Sequence, residues 1–314
     1  MSDSDANRTS GNAEHAALLI DVRAAVAGRY LVDSPLGAGA MGVVFRAREV
    51  ESGREIALKV MRPVLGFDDG VVARFHLEGQ TMSQLDHQHI VRVHGCGESG
   101  HILWFAMELI RGGPLSQVIE AGPIPWQQAA LLLAQGAEAL NYAHLRGVIH
   151  RDIKPANLLL SERGDRLQVT DFGIARIVGA RRLTATGTRL GTPSYMSPEQ
   201  LFLEADAVAA TDQYSLGVVG CRMLAGDAPP MAHPSQWKAR RRHAAWRTSL
   251  RSLPCPPALT RLITGMVQSR PENRWPSLEV VGRAAREIVA TGDAPSLRTI
   301  RDGVLAAALK RLFP

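Results

Sequence analysis

Two stretches near the start of the chain carry residue types suited to phosphate. LGAGAMGVVF spaces Gly37, Gly39 and Gly42 as GxGxxG. Glycine has no Cβ, so such a turn can bring backbone N–H groups against phosphate oxygens. A dinucleotide fingerprint would need a helix to start at the third glycine, yet Val43, Val44 and Phe45 follow and favour strand. The Gly-Lys-Ser/Thr ending of a P-loop is also missing. What remains is a glycine turn between antiparallel strands, either plainly structural or covering a phosphate. Downstream, Lys59 sits in the otherwise apolar EIALKV. A buried ammonium is unfavourable unless paired, and the plain alternative is an edge-strand lysine that snorkels to water. Glu78, in VVARFHLEGQTMSQL, offers a partner. A Lys59–Glu78 pair would fix the ammonium where it can hold phosphate oxygens.

The elements that must carry these residues follow from periodicity. From Tyr30 to about Leu109 the texture is β-rich: VVFRA (43–47) and REIALKV (54–60) flank a turn at Glu51-Ser52-Gly53. IVRVHGC and HILWFAMEL form a second hairpin around a turn at 97–100. Helical spacing occurs once in this half, from Val71 to Leu85. Before it, Glu14–Ala27 reads as a short helix with Leu18, Leu19, Val22 and Val26 on one side and Gly28 as its stop. After Gly112-Gly113 the texture becomes helical: 115–121, 126–145, 214–224, 257–267 and 276–289, broken by a short β pair around SERGD. Two such halves with a Gly-Gly joint make a cleft the natural place for a ligand.

HRDIKPAN (150–157), DFG (171–173) and GTPSYMSPEQ (191–200) then follow in order. With them the chain resembles the eukaryotic-type Ser/Thr protein kinases of the bacterial branch, from about Tyr30 to Val289. The resemblance implies an α+β, bilobal protein-kinase fold: a small β-rich N-lobe with one main helix and a larger, mostly helical C-lobe. It implies ATP as phosphoryl donor, with Mg²⁺ or alternatively Mn²⁺, and Ser/Thr hydroxyls of proteins as acceptors. Phosphoryl transfer asks the protein mainly for alignment and charge neutralisation. By resemblance, Asp152 orients the acceptor hydroxyl and takes its proton, and Lys154 neutralises the transferring group. Asn157 and Asp171 are hard oxygen ligands suited to Mg²⁺. Lys59, paired with Glu78, holds the α- and β-phosphates beneath Leu36, Gly37, Gly39 and Gly42. Val44, Ala57 and Leu159 match the apolar walls around adenine, Met107 the gatekeeper, and Glu108 with Ile110 the hinge. His150, Phe172 and Met82 match a stacked column. Glu199 with Arg274, and Asp212 in TDQYSLG, match structural braces.

GARRLTATGTRLGTP (179–193) has four threonines, three arginines and almost nothing for a core. In the resemblance it is the activation segment, with Thr184 and Thr186 at the positions that autophosphorylate and Thr188 as a further candidate. Arg151 would receive the phosphate, which adds charge and strong acceptors. Thr192 matches a threonine that touches the catalytic Asp and Lys. A homodimer would serve autophosphorylation in trans.

Composition narrows the alternatives. The chain has 314 residues, is 46% hydrophobic and carries a net charge of +6. No aromatic-studded basic patch accompanies that charge, so no nucleic-acid partner is expected. Cys96, Cys221 and Cys255 lie far apart, without metal-site spacing, and read as free thiols in a reducing compartment. No apolar run of about 18 residues suggests a transmembrane segment, and the polar N-terminus is no signal peptide, so the chain reads as cytoplasmic. The expected organisation is an N-terminal extension over 1–27, a kinase domain over 28–290 (lobes 28–110 and 111–290), and an amphipathic tail over 291–314. A pseudokinase scaffold would be expected to lack one of Lys59, Asp152 and Asp171, all present here. A small-molecule phosphotransferase would be expected to lack the SPE segment. The basic stretch at 231–257 reads as a solvated face or as a seat for an acidic partner.

Overall fold

The computed structural model describes residues 18–39, 42–61, 69–173, 193–202, 208–226, 253 and 255–294. Thr184, Thr186, Thr188 and Thr192, the basic stretch at 231–252 and the tail from 295 lie outside them. The described chain forms two compact units, divided near Ile110 and Arg111, with His87–Ile90 belonging to the second.

The first unit is an antiparallel sheet of five strands. They are β1 (Tyr30–Gly39), β2 (Gly42–Glu49), β3 (Glu55–Met61), β4 (Val93–Ser99) and β5 (Ile102–Glu108), in the order β1-β2-β3-β5-β4. Alternation along each strand divides its residues between two faces. Val43, Phe45 and Ala47 of β2 share a face with Ile56, Leu58 and Val60 of β3 and with Trp104 and Ala106 of β5. Helix α1 (18–25) closes that face, with Val22 and Val26 in the same buried cluster. The opposite face receives α2 (Asp69–Ser83) through Phe75, whose ring lies 4.3 Å from that of Phe105.

One turn differs from the reading at 97–100. β4 runs on through Ser99, and Gly97 pairs with Trp104 inside the ladder. A Cβ at Gly97 would strike the indole of Trp104, so this glycine gives a bulky neighbour room rather than turning the chain. The turn falls instead at Gly100, in the left-handed region with φ 58°.

The second unit is helical: α3 (Leu115–Ala121), α4 (Trp126–His144), the short α5 (Pro198–Phe202), α6 (Ala209–Ala225), α7 (Pro257–Met266) and α8 (Leu278–Thr291). β6 (Leu158–Leu160) and β7 (Leu167–Val169) form its small hairpin. Nearly every residue of α6 from Thr211 to Leu224 is buried, as expected of a central helix packed on several sides. α4 packs on α6 and α8, and α7 on α6. α8 starts two residues later than its apolar period suggests, because Ser277 caps it by accepting from the Val280 amide. Among the described residues no helix is long and apolar enough to cross a membrane.

Candidate active site

In the first unit, strand register alone collects the residues expected near a nucleotide. Val44 pairs with Lys59 and Lys59 with Phe105, while Ala57 pairs with Met107. All therefore lie on one sheet face, the one that receives α2, which carries Glu78. Lys59 is 5% exposed on β3, a strand flanked on both sides by β2 and β5. That position rules out an edge-strand lysine snorkelling to water. Glu78 is buried as well, and Met82 is buried further along α2. Gly39 and Gly42 pair across the end of the β1–β2 hairpin, with Gly37 in β1 opposite Val44, and Leu36 stands exposed beside them. So the glycines cap a strand hairpin, the context that separates them from a dinucleotide fingerprint. Glu108 ends β5, and Ile110 follows it half-buried.

In the second unit, the chain from His150 to Asn157 is shaped by hydrogen bonds. Asp212, buried on α6, accepts from the amides of His150 and Arg151, each at 2.8 Å. His144, in the last turn of α4, meets the same carboxylate through Nε2 at 2.8 Å. These contacts hold Arg151 at φ 71°, in the left-handed region that disfavours residues with a Cβ. His150 meets the Thr170 carbonyl through Nε2 at 2.7 Å and accepts the Asp152 amide on Nδ1 at 3.2 Å. The two bonds assign the tautomer: Nε2 carries the proton. The Phe172 ring packs at a tilt against His150 with centroids 4.8 Å apart, and Asp171 beside it has φ 69°.

Among the described residues, Asp152 is gripped on one side only. Lys154 Nζ donates to Oδ2 at 2.7 Å, and Asn157 Nδ2 donates to Oδ2 at 3.2 Å and to the Asp152 carbonyl at 2.8 Å. Oδ1 is left as the oxygen that can face an incoming hydroxyl. The same bonds use the amide nitrogen of Asn157 and leave its Oδ1 to face a cation. Among the described residues no group of three or more His, Cys, Asp or Glu could hold a metal alone. Asn157 and Asp171 carry side-chain oxygens of the hard kind that Mg²⁺ takes beside phosphates and water. Leu159, half-buried in β6, bridges to Pro114.

The expected braces are also found together. Arg274 Nη1 and Nη2 donate to Glu199 Oε1 and Oε2 at 2.7 and 2.8 Å, and Thr211 Oγ1 adds a bond to Oε1. Burial opposes ionisation of Glu199, but the Arg274 bonds and charge prevail and hold its carboxyl below the usual range. Sequence reasoning missed His144 and Gln200. Gln200 donates from Nε2 to the Arg151 carbonyl at 2.9 Å. The only local hint for His144 was a basic residue in the last turn of a helix.

Residues 30–284 match the family model described as the protein kinase domain. The chain is 41% identical over 207 residues to the serine/threonine-protein kinase pkn2 of Myxococcus xanthus, which covers 64% of this chain and 25% of that protein. It is 39% identical over 210 residues to PknA of Mycobacterium tuberculosis, covering 65% and 48%. It is 36% identical over 281 residues to PkaA of Streptomyces coelicolor, covering 85% and 51%. The chain thus matches about half or less of the length of these relatives. The crystal structure of the Mycobacterium tuberculosis PknI kinase domain superposes with a TM-score of 0.64 at 30% identity, covering 83% of this chain and 96% of that one.

Proposed function

Because the chain belongs to the protein kinase domain family, in the company of bacterial Ser/Thr kinases, we propose that it is an active ATP-dependent protein kinase that phosphorylates Ser/Thr hydroxyls of proteins. One observation carries this reading: Asp152 is braced through Oδ2 by Lys154 and Asn157, with Oδ1 left for an acceptor hydroxyl. An inactive relative would have no need to orient this carboxylate so closely.

In this reading Asp152 Oδ1 accepts the hydroxyl proton and aims the oxygen in line with the phosphoryl group. Lys154 lies within reach of both Asp152 and the charge that develops on that group. Asn157 and Asp171 would hold Mg²⁺, which would supply charge neutralisation for the ATP phosphates. Lys59, positioned by Glu78, binds phosphate oxygens under the glycine hairpin with Leu36, Gly37, Gly39 and Gly42. Val44, Ala57 and Met107 of the first unit and, by the family resemblance, Leu159 of the second would offer apolar surface to the base, and Glu108 and Ile110 backbone groups to its edge. The kinase domain spans 28–290, with the chain passing from one lobe to the other at 110–111.

Regulation by phosphorylation of Thr184, Thr186 or Thr188, exchanged between two copies, also belongs to this proposal, as do a role in signalling and a cytoplasmic location. Its support is Arg151: the Nε is enclosed in protein and meets no acceptor among the described residues. A phosphate is the partner such a guanidinium suits best.

The test is mass spectrometry of the purified chain after incubation with ATP and Mg²⁺, beside Asp152→Asn. Added phosphate is expected on the first only. Equal phosphorylation of both would overturn the assignment.

A further inference from the structure

Arg222 stands in the last turn of α6. A cation there suits the negative end of a helix, and for a solvent-facing arginine that would be explanation enough. Arg222 is not placed that way. It is half-buried, and its Nη1 donates to the Tyr195 hydroxyl at 2.8 Å. Its Nε is enclosed in protein and meets no acceptor among the described residues. Among the described residues no ion pair to a carboxylate reaches it: Glu199 of the second unit is taken by Arg274, and Asp212 by His144 and two backbone amides. Tyr195 gives no charge in return, since burial pushes its hydroxyl pKa up despite Arg222 beside it. A partly desolvated guanidinium with one neutral partner is an incomplete site for an anion.

The surroundings tie this cation to the catalytic loop. The Tyr195 carbonyl accepts from Ser215 of α6 at 2.8 Å. Two residues on, the Ser197 amide donates to Gln200 Oε1 at 3.1 Å, and Gln200 Nε2 donates to the carbonyl of Arg151, the residue before Asp152. Tyr195 and Arg222 thus belong to the same hydrogen-bonded frame that presents Asp152. We infer that Arg222 is a specificity-determining residue: it takes the carboxylate of an Asp or Glu flanking the acceptor Ser/Thr, so the substrates are acidic peptides. The inference rests on the kinase reading above.

The test uses peptides with one Thr acceptor, in which a single Glu or a single Lys is walked through the flanking positions. The readout is the ratio of kcat/KM for Glu over Lys at each position, in which the fraction of active enzyme cancels. A charge-assisted hydrogen bond contributes about 1.5–3 kcal/mol, so the wild type should favour Glu at one position by about ten-fold or more. The ratio should fall toward one in Arg222→Gln and below one in Arg222→Glu. The same ratio in all three proteins, or no preference for Glu in the wild type, would overturn the inference while leaving the kinase reading intact. Failure of the wild type to phosphorylate any peptide or itself would overturn both.

Discussion

Arg274 and Glu199, 75 residues apart, meet as a two-pronged ion pair in the interior of the second unit, at 2.7 and 2.8 Å. Removing one partner strands the other's charge in a low-dielectric setting, so Arg274→Ala should cost about 3–5 kcal/mol in chemical denaturation. Arg274→Lys should recover little, because an ammonium cannot reproduce the fork. The pair also has a pH signature. Glu199 has its folded pKa below its unfolded one, so its stabilisation is present above the unfolded value and is lost as pH falls through the folded value. Acid unfolding of the wild type should include this loss, and Arg274→Ala should lack it.

Asp212 gathers three bonds that shape the loop bearing Asp152. Asp212→Asn keeps the size but turns an NH₂ toward a donor and removes the charge. One charge-assisted bond lost is about 1.5–3 kcal/mol, or about a ten- to hundred-fold drop in rate if it is expressed in the barrier. Phosphoryl transfer at saturating ATP should fall by that factor while circular dichroism stays that of the wild type.

His89 gives the second unit a sensitivity at milder pH. Its Nδ1 lies 2.8 Å from the Leu167 carbonyl, and burial pushes its pKa below the ordinary 6.5. The unfolded chain therefore binds the proton more readily, and stability declines as pH falls through about 6.5 toward the folded value. Melting temperature should drop between pH 7.5 and 5.5, and His89→Gln should flatten that slope.

Gly79 follows Glu78 on α2 and lies against β4. A Cβ there would stand 2.5 Å from Cys96 Sγ and 3.2 Å from the Phe105 ring. Gly79→Ala should therefore push the helix off the sheet, at about 1–3 kcal/mol, and weaken ATP binding through Glu78. Removing the sulfur should make room. If Gly79→Ala with Cys96→Ala is as impaired as Gly79→Ala alone, in stability and in ATP titration, the helix is not seated by this contact.

The helix before the sheet is part of the first unit's core. Val22 is fully buried in the cluster with Phe45, Leu58 and Trp104. Val22→Ala should cost about 2 kcal/mol. A chain beginning at Gly28 should be less stable to urea than one beginning at Leu18, although the family match begins only at residue 30.

Much of the candidate site was legible because its contacts are local. Asp152, Lys154 and Asn157 touch one another across two to five positions, so spacing alone holds their geometry. Strand register puts Val44, Ala57 and Lys59 on one face, but the choice between edge and interior for Lys59 depended on β5 inserting between β3 and β4. That order is a tertiary fact with no local signature. The same holds for His144 on Asp212, 68 positions away, and Gln200 on the Arg151 carbonyl, 49 away. Gly97 misled because a glycine next to Glu and Ser resembles a turn, whereas its role depends on the Trp104 indole across the ladder.

Arg151, at φ 71°, occupies a conformation that only glycine enters freely. Right-handed geometry would be easier for its backbone by about 1–2 kcal/mol, so the peptide just before Asp152 is sprung against the grip of Asp212. Any change that loosens that grip lets the peptide flip back, and Asp152 swings with it. Such a variant would still fold and carry every catalytic group, yet be silenced by a carboxylate pointing the wrong way.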